Sequence, residues 1–262
     1  MVKYVFIQND PFYLPKVLDK YLREFGDSTA GVNIQSVAQG KRTVFQTAVA
    51  LYKLYGLRYF LWKLRNYLSR KVAGKIYNDL LGSTGTCYSV GAVARKYGIP
   101  VTQAVNVNSE EFLKHLRDLK VELIVSISGT QLYKNPLLQQ TPAGIINCHG
   151  ALLPAYRGLM PSFWTLCNDE KTGGVTVHFV DHKLDNGPIV VQKCYRIHPR
   201  DTLEDIMARS KDLAAEAIIE AVKLIESGNP PRLPNDEAAA THFSMPTRQD
   251  VQRFLAAGHR FF

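Results

Sequence analysis

Apolar positions change their spacing along the chain, and each change predicts an element. From Tyr4 to Gln8 they run almost unbroken, as in a short strand buried on both faces. From Leu14 to Phe25 they recur every three or four residues, which predicts a helix. A strand followed by a helix suits the start of a doubly wound sheet. Val44 to Val72 predicts one or two helices with a break at Gly56. Ser89 to Tyr97 predicts a helix that Gly98 stops, before a short strand Ile99-Pro100-Val101. Asn108 with Glu111 reads as a capping box opening a helix through Leu119. Leu123 to Ser128 has the composition of a strand in a buried parallel sheet. Gly144-Ile145-Ile146 and Val175 to Val180 predict two further strands. Thr202-x-x-Asp205 opens a long helix with one apolar stripe, which Ser227-Gly228 ends. The predicted fold is α/β: a doubly wound, mostly parallel, twisted sheet. Residues 1–228 form its main domain, with a helical insertion at about 42–75, and 229–262 form a connector and short appendage.

Charge sharpens one part of this picture. The net charge is +9, from 32 Lys+Arg against 23 Asp+Glu. Nine of the basic residues lie between Lys41 and Lys75, where no Asp or Glu occurs. The rest of the chain is therefore neutral, and the basic character belongs to the predicted insertion. Three roles for residues 44–72 stand side by side. The long basic side chains can lie over the core, the segment can contact anionic lipid as a peripheral membrane helix, or it can face a polyanionic substrate. The four cysteines, at 87, 148, 167 and 194, have no C-x-x-C spacing, so no disulfide framework and no metal site is expected. No apolar run has the length of a signal sequence or a membrane span, and a cytoplasmic protein, at most membrane-peripheral, is expected.

The candidate chemistry sits between Gly144 and Val191. Asn147 and His149 are i and i+2 at the end of a strand, so both side chains project to one face. Asp185 lies in a polar loop after the next strand. An amide, an imidazole and a carboxylate at strand exits suffice for acyl transfer, as oxyanion donor, proton acceptor and charge partner. Asp185 is expected to raise the pKa of His149 by its charge. Cys148 points to the opposite face, which disfavours a nucleophilic thiol. His178, inside a strand, is expected to be packed or supporting, and His182 exposed. Arg157 either holds the turn or contacts substrate. Met160, Phe163 and Trp164 have the spacing of core residues.

These residues form an ordered pattern: Asn147-Cys148-His149-Gly150-Ala151-Leu152-Leu153-Pro154, Arg157-Gly158, Gly174-Val175-Thr176-Val177-His178 and Asp185-Asn186-Gly187-Pro188-Ile189. It resembles the folate-dependent formyltransferases, over roughly Lys120 to Tyr195. Ala151 stands where that family usually has Ser, a turn former rather than a reactant. The resemblance implies a Rossmann-like fold, 10-formyltetrahydrofolate as formyl donor, and Asn147, His149 and Asp185 as catalytic residues. It also implies a pterin pocket walled by Gln131, Leu132, Lys134, Val180 and Asp181.

The acceptor expected from the resemblance is a primary amine on a small molecule, with a nucleotide-linked amino sugar as first choice. Gln8-Asn9-Asp10-Pro11-Phe12 has no glycine where the purine-pathway member of the family carries a Gly-rich phosphate loop. About thirty residues follow the connector, fewer than the barrel domain of the tRNA-acting member needs, so no nucleic-acid partner is expected. Sugar N-formyltransferases are often dimers, which makes a homodimer one expected assembly. Alternatives are hydroxyornithine, a lipid-linked amino sugar and methionyl-tRNA as acceptors, or hydrolysis of the donor by water.

Overall fold

A computed structural model describes residues 1–36, 44–80 and 87–262. Seven strands form one sheet in the order β3-β2-β1-β4-β5-β7-β8. Its parallel part consists of β1 (Lys3–Gln8), β2 (Thr29–Gln35), β3 (Val101–Thr102), β4 (Leu123–Ile127) and β5 (Gly144–His149). Two antiparallel strands, β7 (Thr172–Phe179) and β8 (Ile189–Arg196), extend it beyond β5. Strand order reverses direction between β1 and β4, and ligands of open α/β sheets gather beyond the carboxyl ends of strands at such a point. Gln8, Ser128 and His149 mark those ends.

Helices cover both faces. On one side lie α1 (Leu14–Phe25), α4 (Val90–Lys96) and α8 (Leu203–Glu226), closing a core around Val5, Ile7, Leu18, Val125, Val177 and Ile218. On the other, α5 (Glu110–Asp118) and α6 (Asn135–Gln140) cover Tyr4, Phe6, Ile124 and Ile145. The expected box at the start of α8 is present: Thr202 accepts from Asp205 N–H, and the Asp205 carboxylate accepts from Thr202 N–H. The box read at Asn108 is not. Ser109 caps α5 by accepting from Phe112 N–H at 3.4 Å. The Asn108 amide instead bridges to the next loop, donating to the Leu132 carbonyl at 2.9 Å and accepting from Lys134 N–H at 2.8 Å.

The insertion is two helices, α2 (Val44–Tyr55) and α3 (Leu57–Gly74), broken at Gly56 as expected and continued by a π-helical turn, Lys75–Leu80. Residues 42 and 43 of the expected insertion lie outside the described residues. One face of the pair joins a third apolar cluster: Tyr55 and Tyr59 meet Phe254 of α9 (Arg248–Ala256), Phe261, and Phe163 and Trp164 of α7 (Pro161–Cys167). Polar contacts tie α3 to the start of α8. Glu204 accepts from Tyr59 Oη at 2.6 Å and from Tyr13 Oη, and pairs with Lys63 at 2.7 Å. Phe163 and Trp164 are core residues, as their spacing predicts. Among the described residues no helix is long and apolar enough to cross a membrane.

Candidate active site

Asn147 and His149 leave β5 on one face, and the neighbouring strand brings a third ring to it. In the antiparallel pairing of β5 with β7, Asn147 lies opposite His178, and directly opposed residues share a sheet face. The Asn147 Nδ2 is 3.4 Å from His178 Nε2. On the other side, Ser126 of β4 donates its hydroxyl to Asn147 Oδ1 at 3.0 Å. That bond uses the carbonyl end of the amide and turns the NH2 end towards the histidines. His178 Nδ1 sits 2.8 Å from the Phe179 carbonyl, which can only accept. The proton is therefore on Nδ1, and a neutral His178 presents Nε2 as acceptor for Asn147.

His149 is 6 % exposed, and its Nε2 lies 2.7 Å from the Tyr156 carbonyl. By the same reasoning Nε2 carries hydrogen, and a neutral ring keeps its lone pair on Nδ1. That nitrogen is 3.5 Å from Asp185 Oδ2, while Asp185 Oδ1 is 3.6 Å from His178 Nε2. The carboxylate thus stands between the two rings.

Burial dominates the electrostatics of the imidazole. Burial lowers the His149 pKa below the ordinary 6.5. The Asp185 charge and the Tyr156 hydrogen bond raise it, as expected for Asp185, but they do not overcome burial, and His178 and Lys211 push further down. His149 is therefore neutral at pH 7. Burial alone would raise the Asp185 carboxyl. The two neighbouring imidazole rings, His178 and His149, and the Gly158 N–H outweigh that burial and hold it at about 2.

Three devices hold the Asp185 loop. Asp185 has φ +48°, in the left-handed region, so its surroundings must fix it. Gly158, in β6 (Arg157–Gly158), donates its N–H to Asp185 Oδ2 at 2.9 Å. A Cβ there would lie 2.2 Å from the Phe243 carbonyl of β9 (His242–Phe243), and one at Gly187 would lie 1.9 Å from the Phe179 carbonyl. Arg157, fully buried, reaches Asn186 at 2.9 Å, Glu237 at 2.8 Å and Asn235 at 3.0 Å. Of the two roles weighed for Arg157, these contacts favour holding the turn. Asn235 closes the ring by donating to the Asp185 carbonyl at 2.9 Å and the Gly187 carbonyl at 3.0 Å. Neither Asn235 nor Glu237 is signalled by sequence: they lie some fifty residues beyond the loop they hold.

The five expected pocket-wall residues fall into two groups. Gln131 and Asp181 are engaged by neighbours. Gln131 accepts from Val107 N–H and donates to the Ala104 carbonyl; Asp181 accepts from Lys183 N–H and the Asn186 amide. Leu132 and Lys134 are exposed, and Val180 is half-buried beside Ile145. Cys148 is buried and its thiol is pushed up to about 12 by burial, consistent with an unreactive group.

A doubly wound sheet with an amide, two imidazoles and a carboxylate gathered at one end places the chain among the open-sheet α/β proteins. Residues 85–222 match the family model described as formyl transferase, over half of the chain, and the chain belongs to that family. It is 35% identical over 162 residues to methionyl-tRNA formyltransferase of Kosmotoga olearia, covering 62% of this chain and 52% of that one. With the enzyme of the same description from Desulforamulus reducens it shares 34% over 156 residues, 60% and 49% of the two chains. The chain thus spans about half the length of the curated relatives it matches. Among solved structures, phosphoribosylglycinamide formyltransferase of Anaplasma phagocytophilum superposes with a TM-score of 0.61 at 18% identity, over 94% and 99% of the two chains. An N-formyltransferase of Helicobacter canadensis, in complex with folinic acid and dTDP-3-aminofucose, gives 0.57 at 14%, over 95% and 72%. At such identities the likeness is one of fold.

Proposed function

We propose that the chain transfers a formyl group from 10-formyltetrahydrofolate to the primary amine of a small acceptor, an amino sugar carried on a nucleotide. The observation that carries this reading is the Asp185 carboxylate set 3.5 Å from a buried His149 whose free lone pair is on Nδ1. The residues suit the donor: a neutral amide and a neutral imidazole meet a formyl group without a competing positive charge, and Leu132 and Val180 offer apolar contact for a flat ring. When bound, the donor supplies a formyl carbon already attached to nitrogen.

The steps follow from the polar groups. The acceptor amine attacks the formyl carbon, forming a new C–N bond. Asn147 donates an Nδ2 hydrogen to the oxygen that gains charge, a contribution of about 3 kcal/mol for such a donor. His149 Nδ1 takes the proton released by the amine. Asp185 balances the imidazolium and holds it against its own burial. His149 returns that proton towards the departing folate nitrogen as the old C–N bond breaks.

The acceptor class is supported by the β1–α1 turn. Asp10 accepts there from the N–H groups of Phe12 at 3.1 Å, Tyr13 at 3.0 Å and Leu14 at 3.3 Å. A helix N-terminus is a natural phosphate site, but this one already holds a carboxylate. A small ribonucleotide phosphate would have to displace it. The test is tetrahydrofolate release from 10-formyltetrahydrofolate with a panel of amines. Release that depends on a nucleotide-linked amino sugar supports the proposal. Release without amine makes the chain a hydrolase, and release only with methionyl-tRNA or glycinamide ribonucleotide overturns the acceptor.

A further inference from the structure

The inner face of α3 is packed against the protein, while its outer face is apolar and exposed. Leu57, Leu61, Leu64, Leu68 and Val72 follow one another at intervals of four, three, four and four residues, which aligns them along one side of a helix. They are 57, 52, 39, 50 and 58 % exposed, and Ile76, one turn further on, is 41 % exposed. At about 1.5 Å per residue the stripe runs for roughly 22 Å from Leu57 to Val72. A helix on a globular surface ordinarily turns its polar side outward.

The edges of the stripe are cationic. Arg58 and Arg65 flank one side and Lys71 the other, all three exposed. No carboxylate lies within ion-pair range of these three among the described residues, and none occurs in the sequence from Lys41 to Lys75. Arg58 and Arg65 also border an open groove with Leu61, Trp62 and Phe262, in which the Trp62 and Phe262 rings stack at 4.9 Å.

We infer that α3 is the surface by which this protein lies on an anionic phospholipid bilayer, with the leucine stripe entering the headgroup layer and Arg58, Arg65 and Lys71 meeting lipid phosphates. The charge pattern selects this occupant. A second copy docking face to face would set the two cationic borders against each other. A nucleic acid would satisfy the cations but leave the leucines in water. An anionic bilayer satisfies both. The opposite side of α3 reaches the β1–α1 turn: Arg70 donates to the Pro11 carbonyl at 3.3 Å, and Lys63 lies 4.2 Å over the Phe12 ring. Membrane contact would therefore place the carboxyl end of the sheet near the lipid surface. The inference does not depend on the acceptor proposed above.

The test is co-sedimentation of the whole chain with vesicles of phosphatidylglycerol and phosphatidylcholine, against phosphatidylcholine alone. The expected result is binding to the anionic vesicles only, weakened by salt. Changing Arg58, Arg65 and Lys71 together to Gln should lower the partition roughly a hundredfold. The variant Leu61→Ser, Leu64→Ser, Leu68→Ser should lower it at least about tenfold. All six side chains are exposed, so an unchanged melting temperature verifies that these variants fold. The intact chain remaining in the supernatant would overturn the inference, as would a leucine variant that binds like the parent. A chain that is dimeric in lipid-free solution, and monomeric once the leucines are replaced, would assign the face to a second copy instead.

Discussion

Replacing Asn235 by Ala tests whether the C-terminal segment belongs to the working site. Asn235 is half-buried and its side chain makes three contacts: two donations, to the Asp185 and Gly187 carbonyls, and one acceptance from the Arg157 guanidinium. A neutral hydrogen bond contributes about 1 kcal/mol net and one to a charged group about 1.5–3 kcal/mol. Water can replace part of this at a half-exposed position, which leaves about 1–2 kcal/mol. That energy holds Asp185 in a left-handed conformation that the backbone does not favour alone. If it is lost from the arrangement in which Asp185 faces His149, kcat falls about tenfold. The assay is steady-state formyl transfer at saturating donor, with the melting temperature measured in parallel. The expected pattern is a lower kcat with little change in donor KM. Asn235→Asp cannot restore it, because a carboxylate cannot donate to the two carbonyls. A variant with reduced melting temperature but a kcat within about twofold of the parent would leave Asn235 a stabilising residue only, with no part in placing Asp185.

Other outcomes follow from the same geometry. The acid limb of kcat/KM should lie below pH 6.5, because burial depresses His149, and Asp185→Asn should move it lower still; a limb at or above 6.5 would contradict the neutral buried ring. With Asp185 held at about 2, its stabilising contribution of about 2 kcal/mol is present above pH 3.8 and lost as pH falls towards 2, so acid unfolding of Asp185→Asn should show a shallower loss over that window. Changing His178 to Phe frees the Asn147 amide from its partner and should lower kcat about ten- to a hundredfold while donor affinity changes little; equal loss in both would indicate a collapsed pocket. Cys148→Ser should leave turnover within about twofold, and the buried thiol should remain unmodified when the parent is treated with an alkylating reagent, read by peptide mass; its rapid alkylation would contradict the unreactive assignment.

Much of this arrangement was legible in the chain, and the gaps have physical causes. The apolar run of β4, the i and i+2 placement of Asn147 and His149, the Gly56 break and the Thr202 box are local signals, set by residues a few positions apart. Strand β2 carries no such signal. Its Asn33 and Gln35 are buried polar residues matched by distant partners, Asn33 Oδ1 by Thr102 and Ala104, Gln35 Oε1 by Thr130. From its place inside a strand, His178 reads as packed or supporting. What raises it to a neighbour of Asn147 is the β5–β7 register, which no single strand encodes. The Asn108 reading failed because Asn and Ser both cap helices well, and tertiary contacts with Leu132 and Lys134 drew Asn108 away. At His149 the effect of the partner charge is legible and has the expected sign, whereas the burial that outweighs it is a property of the folded chain.

Asn147, His149 and Asp185 are proposed to act together in moving a formyl group. That joint action is tested most directly by single-turnover transfer in His149→Ala, with donor binding measured on the same protein. The expected result is parent-like donor affinity and a transfer rate lower by a factor on the order of a hundred or more. A rate within a few-fold of the parent, at normal donor affinity, would contradict it.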